Sequence, residues 1–446
     1  MRTTRALAAV ALSALVAACG AAPGSNSATN KRPAQPATTA KPDVARAGKV
    51  TLTVWDQEVR GGQNAEITRL NKAFMAKYPN VTLKRVAKSF TDLKTTLKLA
   101  LSGSDAPDVV EANQGRPDMG AMVKAGLLRP LDDYAKVYDW PSRYSSTLLS
   151  LNRFSSDGRD FGSGNLYGLS QMGEIVGLYY NKAKVPHPPA TFAEFQQQLQ
   201  QAKQAGDVGI QFGNQEKYPG IHEYETVLGQ VADKQAVRDF VFSKPGASFD
   251  TPQFTQAATT ISDWVKRGYF NKGFNGTPYN SAYENLAKGT GRFVIAGTWI
   301  TADILKAMGD KVGFMLMPGK DPASPVSLGG ESLPFAITSA SKHPDVAAAY
   351  IDFLTDANAA KVLVETDNLP AMKGAPAPQG ALNVQIAQAW QKLNAADGVI
   401  PYLDYTTPTF YDDITAAIQE LLAGKQSPSQ FTAGVQKEYA AWAESR

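Results

Sequence analysis

The chain has 446 residues, with 45 Lys and Arg against 41 Asp and Glu, three His and a single Cys. A charge this balanced argues against a nucleic acid or other polyanion as partner, and one cysteine excludes a disulfide framework. The hydrophobic fraction of 43% is ordinary for a globular protein, and the length calls for two cores rather than one.

The first feature in chain order is a leader. Arg2 and Arg5 precede an apolar stretch from Ala6 to Leu15, which runs on as Val16-Ala17-Ala18-Cys19-Gly20. A basic start, a short apolar run and small residues at a cut predict a secretory signal peptide over 1–18, too short to span a bilayer. The cysteine directly after the small residues resembles the bacterial lipobox. That resemblance implies that the Cys19 thiol carries diacylglycerol, becomes the mature N-terminus, and anchors the protein outside the cytoplasmic membrane. Residues 19–49 are Ala, Pro, Ser, Thr, Asn and Lys with almost no large apolar side chain, which predicts a disordered tether.

Val50 to Trp55 then reads as a strand, followed by Ile67, Leu70, Phe74 and Tyr78 at helical spacing up to Pro79-Asn80. Val81 to Val86 is a second strand, Leu93, Leu97 and Leu101 mark a second helix, and Val109 to Glu111 is a third strand. This β-α-β-α-β order predicts a parallel, doubly wound sheet with right-handed crossovers. The middle is helical. Thr191 to Glu194 form a capping box ahead of Phe195, Leu199 and Ala202, and Thr251-Pro252 opens a helix that buries Phe254, Ala257, Ile261 and Trp264. Further helices carry Val346, Tyr350, Phe353 and Leu354, and then Ile414, Ile418, Leu421 and Leu422, closed at Gly424.

Six words in order resemble the extracellular solute-binding proteins of ABC importers, in the large carbohydrate-binding branch that includes maltose-binding protein. Val50 to Trp55 is similar to the family's first strand. Phe74 to Val81 resembles its helix-to-strand turn, and Leu101 to Val110 its Ser-Gly-x-x-x-Pro-Asp-Val approach to the cleft. Gly126 to Asp132, Leu166 to Lys182 and Gly291 to Trp299 complete the set. The resemblance implies an α/β fold of two hinged lobes around a central cleft, each lobe a mostly parallel sheet flanked by helices. Carried over, lobe 1 is 50–172 plus 326–357 and lobe 2 is 173–325 plus 358–446.

A sugar ring offers hydroxyls at its rim and a weakly apolar face, so a site for it needs planar polar side chains and aromatic plates. In open α/β sheets such groups lie just past the carboxyl ends of strands. Asp56, Gln57 and Glu58 follow the first strand, and Asn113 and Gln114 follow the third, with Arg116 nearby. Within the resemblance, Glu174 on the hinge strand is the strongest polar candidate. Trp299 is implied as a stacking platform, although a tryptophan at a strand end is ordinarily core. Gly330 and Glu331 resemble the return into lobe 1, and Asp404, Tyr405 and Phe410 lie in an aromatic loop that supplies a second plate in the family.

The function implied is capture of a mono- or oligosaccharide and its delivery, unchanged, to an ABC permease served by a separate ATPase, by a monomer that uses no cofactor. Two other readings stay open: the same fold holding a glycerol phosphodiester, a polyamine or a ferric chelate, and a secreted glycan hydrolase. Against an enzyme, His187, His222 and His343 are scattered, and neither a zinc signature nor a Gly-x-Ser-x-Gly elbow is present.

Overall fold

The computed structural model describes residues 38–319 and 323–445. The signal peptide and Cys19 lie outside the described residues, as does most of the predicted tether. The last part of that tether is packed rather than loose. Val44–Arg46 form a short 3-10 turn with Val44 buried, and the Asn80 amide donates to the carbonyls of Val44 and Gly48 at 2.8 Å each. One apolar side chain and one amide are enough to fix a segment whose composition alone reads as unstructured.

The strands are β1 (Val50–Asp56), β2 (Val81–Ala87), β3 (Val109–Glu111), β4 (Arg153–Phe154), β5 (Asn165–Leu166), β6 (Gly173–Asn181), β7 (Phe293–Gly297), β8 (Val312–Met315), β9 (Ser327–Glu331), β10 (Phe335–Ile337) and β11 (Val399–Ile400). The first sheet has the order β10-β3-β1-β2. β1 runs parallel to β2, from Val50 opposite Val81 to Asp56 opposite Ala87, and parallel to β3, while β10 closes the edge antiparallel. Helix α1 (Gly61–Lys77) makes the first crossover and α2 (Phe90–Leu101) the second, as the β-α-β-α-β reading requires. α1 buries Ile67, Leu70 and Phe74. The Phe74 ring meets Tyr350 and Phe353 of helix Pro344–Leu354 edge-on at 5.2 and 5.4 Å.

The second sheet departs from a mostly parallel layout. Its order is β11-β9-β6-β7, with β8 also against β6. β6 pairs antiparallel with β7, β8 and β9, and among the named strands of this sheet only β11 and β9 run parallel. The reason is positional. All nine residues of β6 are buried, and its two ends serve different neighbours: Gly173–Ile175 pair with β9, whereas Val176–Asn181 pair with β7 and β8. A strand shared in this way is not one rung of a repeating β-α-β ladder. The approach of β9 is close enough to demand glycine. A Cβ on Gly329, at φ +153°, would lie 2.2 Å from the Glu174 carbonyl oxygen.

The helix starts follow their sequence signals. The Thr191 hydroxyl accepts from the Glu194 N–H ahead of Phe192–Gln204, and Thr251 caps Pro252–Arg267 in the same way. One long helix passed without a sequence signal being used, Pro428–Glu444, although Ser427 and Gln430 form a full capping box at its start. The aromatic loop therefore precedes the penultimate helix, Phe410–Leu422.

Beneath the first sheet's carboxyl end lies an ion pair. Asp56, fully buried, receives Arg85 Nε and Nη2 at 2.7 Å each, and Arg85 also donates to the Glu58 carbonyl and to Asn64. Removing one partner of a buried bidentate pair strands the other charge, at a cost of about 3 kcal/mol or more. Arg85→Ala is expected to lower the urea-unfolding free energy by about that amount; a loss under about 1 kcal/mol would show that Asp56 does not depend on it.

Candidate ligand-binding site

Past the carboxyl ends of β1 and β3, facing β6 and the aromatic loop, lies a cavity of about 80 Å³. Seven of the sequence candidates line it: Gln57, Asn113, Gln114, Glu174, Trp299, Asp404 and Tyr405. They come from segments far apart in the chain, which the two sheets and the loop at 402–411 bring to one place.

Glu174 is placed by its pairing with Gly330. Its carboxylate touches the cavity, and no hydrogen bond of that carboxylate to the protein is found among the described residues. Burial, reinforced by Glu58, pushes it up to about 8 against the pull of Arg60. Asp404 is also raised by burial, to about 7, with Lys94 opposing. Gln114 lines the cavity but is committed to the framework. Its Nε2 donates to the carbonyls of Glu331 and Ser332, and its Oε1 accepts from the Tyr405 hydroxyl at 3.2 Å. Asn113 donates to Asp118 at 2.8 Å, leaving its carbonyl oxygen for a ligand.

Trp299 follows β7 and folds back over it. A Cβ on Gly297 would lie 2.0 Å from the indole, so only glycine permits this pose. The indole Nε1 donates to the Tyr279 hydroxyl at 2.9 Å, and the ring lies 5.5 Å from His222. The plate is thus fixed before any ligand arrives.

Five candidates are placed elsewhere. Asp56 is held by Arg85 behind the cavity. Glu58 is buried against Glu111; burial pushes Glu58 up to about 7 with its hydrogen bond to Glu111 opposing, while burial and then Glu58 push Glu111 well up. Chain alternation past β1 explains why Gln57 alone of the three faces the ligand side. Glu331 is buried and accepts from Asn152, and Gly330 serves the β6 pairing. Phe410 is fully buried among Phe240 and Phe249, a core ring rather than a plate. Arg116 is a tie within the protein. Its guanidinium donates to the carbonyls of Arg159, Val241 and Thr406, between the rings of Phe161 and Trp442.

Sequence reasoning missed Arg60, Phe90, Tyr218, His222 and Tyr402, all in the lining, where Tyr411 of the aromatic loop also stands. Tyr218 and His222 stand one turn apart on helix Tyr218–Val231, a spacing visible in the sequence. Burial drives His222 down to about 3, so the imidazole is neutral. Its Nδ1 and the Tyr402 hydroxyl have no hydrogen-bond partner among the described residues. Unpartnered buried polar atoms facing a cavity are groups waiting for a ligand. The lining therefore combines aromatic faces with carboxylate, amide, imidazole and hydroxyl groups. No group of three or more side chains able to hold a metal ion occurs among the described residues.

Because Glu174 and Asp404 hold protons in the fold that the unfolded chain has already released, they contribute stability that is complete below about pH 4 and is lost as pH rises towards 8. The ligand-free protein is expected to melt at higher temperature at pH 5 than at pH 8, and Glu174→Gln to show a smaller drop. An identical drop in the variant would place the linkage in other groups.

A family model described as bacterial extracellular solute-binding protein matches residues 61–361. The chain is similar to the multiple sugar-binding protein of Streptococcus mutans, 22% identical over 344 residues that cover 75% of this chain and 78% of that one. Among solved structures it resembles a chitin oligosaccharide binding protein, with TM-score 0.76, 22% identity and coverage of 88% and 99%. It also resembles a solute-binding protein in complex with raffinose, with TM-score 0.70, 18% identity and the same coverage. These likenesses give the two-lobed fold, and with the family model spanning most of the folded body, the chain belongs to the bacterial extracellular solute-binding protein family.

Proposed function

We propose that this protein is the substrate-binding component of an ABC-type sugar importer, which encloses a mono- or oligosaccharide in the cavity and passes it to a membrane permease served by a separate ATPase. The observation that carries this reading is the Glu174 carboxylate, accessible to the cavity and without a protein hydrogen bond, within the same lining as the fixed Trp299 plate. A carboxyl group that holds its proton donates to one hydroxyl and accepts from a neighbouring one, and an indole face covers the C–H side of a ring. His222, Tyr402 and Asn113 add neutral hydrogen-bonding groups of the kind that hydroxyls match. Each good hydrogen bond nets about 1 kcal/mol and each stacked ring about the same, so a handful reaches micromolar affinity after ordering costs.

The lobes in this reading are 50–172 plus 326–357 and 173–325 plus 358–446. The β6–β9 pairing supports a hinge where the chain passes between them. A ligand that touches both lobes binds the closed state more tightly than the open one, and that difference drives closure. The family consists of binding proteins, so the cargo leaves unaltered, and its members act outside the cytoplasm. Anchorage through acylated Cys19 and a monomeric state are part of the same proposal; the first rests on the leader sequence.

Melting the protein against a panel of mono- and oligosaccharides is expected to give a saturable stabilisation with at least one of them. Stabilisation by a phosphodiester, polyamine or ferric chelate, with none from any sugar, would defeat the carbohydrate assignment. Trp299→Ala is expected to weaken the sugar by at least about tenfold, roughly 1.4 kcal/mol, with the circular dichroism spectrum unchanged. Unaltered affinity would remove the indole from the site.

A further inference from the structure

One contact between the lobes stands apart from the cavity, and Arg116 is at its centre. Gly115 and Arg116 follow β3, and the loop at 159–162 lies beside them; both stretches belong to lobe 1 as read above. Facing them from lobe 2 are the end of helix Lys234–Val241 with Phe242, the end of the turn Leu403–Tyr405 with Thr406, and Trp442. Arg116, Phe161, Phe242 and Thr406 do not line the cavity.

Arg116 is 2% exposed. Its Nε donates to the Arg159 carbonyl at 3.1 Å, inside its own lobe, which aims the two terminal nitrogens across the boundary. Nη1 donates to the carbonyls of Val241 at 3.1 Å and Thr406 at 2.6 Å, and Nη2 to that of Phe242 at 3.4 Å. The last carbonyls of a helix lack partners within it and form its negative end. Here a cation from the other lobe serves them. Rings keep the contact dry. Phe161 lies 5.0 Å from Phe242 and 6.0 Å from Tyr405, centre to centre, and the guanidinium lies 5.7 Å from the Phe161 centre. Charge-assisted hydrogen bonds are stronger in such a place than in water. The two sides also meet at glycines. A Cβ on Gly115, at φ +79°, would lie 2.5 Å from the Tyr405 Cα, and one on Gly162 would lie 2.8 Å from the Phe242 ring.

We infer that Arg116 is a latch, a positioning residue that biases the cleft towards closure whatever the cleft holds, and so sets how long the cargo stays without touching it. This rests on the lobe division in the reading above and not on the chemistry of the cargo. A ligand's apparent affinity is its affinity for the closed state multiplied by the fraction closed. A group that acts only on that fraction scales every ligand by one factor. A group in the lining changes their ranking instead.

Two measurements on the full mature chain test this. The first is titration with galactose, maltotriose, raffinose and a chitin oligosaccharide. For every one of these that binds, Arg116→Ala is expected to weaken binding at least about tenfold, by a common factor and mainly through faster release. Arg116→Lys, which keeps the charge but not the fork, is expected to lose part of that. Phe242→Ala, on the opposite lobe and only half-buried, is expected to act in the same direction. The second measurement needs no ligand. With Cys19→Ser, spin labels at Leu99→Cys in lobe 1 and Lys288→Cys in lobe 2, both exposed, are expected to show a short-distance population that shrinks in Arg116→Ala. Unchanged affinity, factors that differ from one saccharide to the next, or a lowered ligand-free melting temperature with the distance population intact would each overturn the latch. If no saccharide binds, the carbohydrate reading falls, and the distance population alone decides for or against the latch.

Discussion

The antiparallel pairing of the first three residues of β6 with β9 is the interaction on which the rest of the molecule depends. It joins a strand that enters from the first sheet's side to one returning towards it, with Gly173 opposite Glu331 and Ile175 opposite Gly329. Both strands are buried throughout, and their backbones are so close that a side chain at Gly329 is not tolerated. Everything the cavity uses is indexed to this contact. Glu174 is set by it directly. Gln114 reads it from the first sheet by donating to the carbonyls of Glu331 and Ser332, and Tyr405 is tied to Gln114 in turn.

Around that contact the protein buries more carboxyl groups than it pairs. Asp56 has Arg85, which holds it in a bidentate grip. Glu58 and Glu111 have mainly each other, and like charges in a dry place settle by keeping a proton between them. Glu66 is raised by the same burial and is steadied by the Gln171 amide. Such groups are costly as ions and cheap as acids. Their placement just behind the cavity gives the site a floor that is polar without being strongly charged, suited to hydroxyls rather than to a salt.

Much of the fold was legible in the sequence because local signals and global packing agree there. The β1-α1-β2-α2-β3 run could be read from apolar period alone, and Thr191 and Thr251 start their helices where their hydroxyls suggested. The second sheet was not legible in the same way. β6 carries a run from Ile175 to Tyr180 without a charged side chain, which says that it is buried but not in which direction its neighbours run. The site divides along the same line. Residues just past strand ends were found, since topology places them. Asp56, Glu58 and Glu331 do not line the cavity, and a sequence does not show that Arg85 lies across from Val54 or that Asn152 reaches Glu331. Tyr218 and His222 were overlooked because they sit on a helix whose face towards the cavity only the tertiary arrangement defines.

Arg116 shows what kind of tie evolution can leave alone. The carbonyls it binds at Arg159, Val241, Phe242 and Thr406 are all main-chain oxygens. A carbonyl is present whatever side chain its residue carries, so the tie itself asks for no particular side chain at the positions that accept, only for the one cation that donates. Loops fastened in this manner can change their surface, and with it what they meet outside the protein, without loosening the body to which they belong.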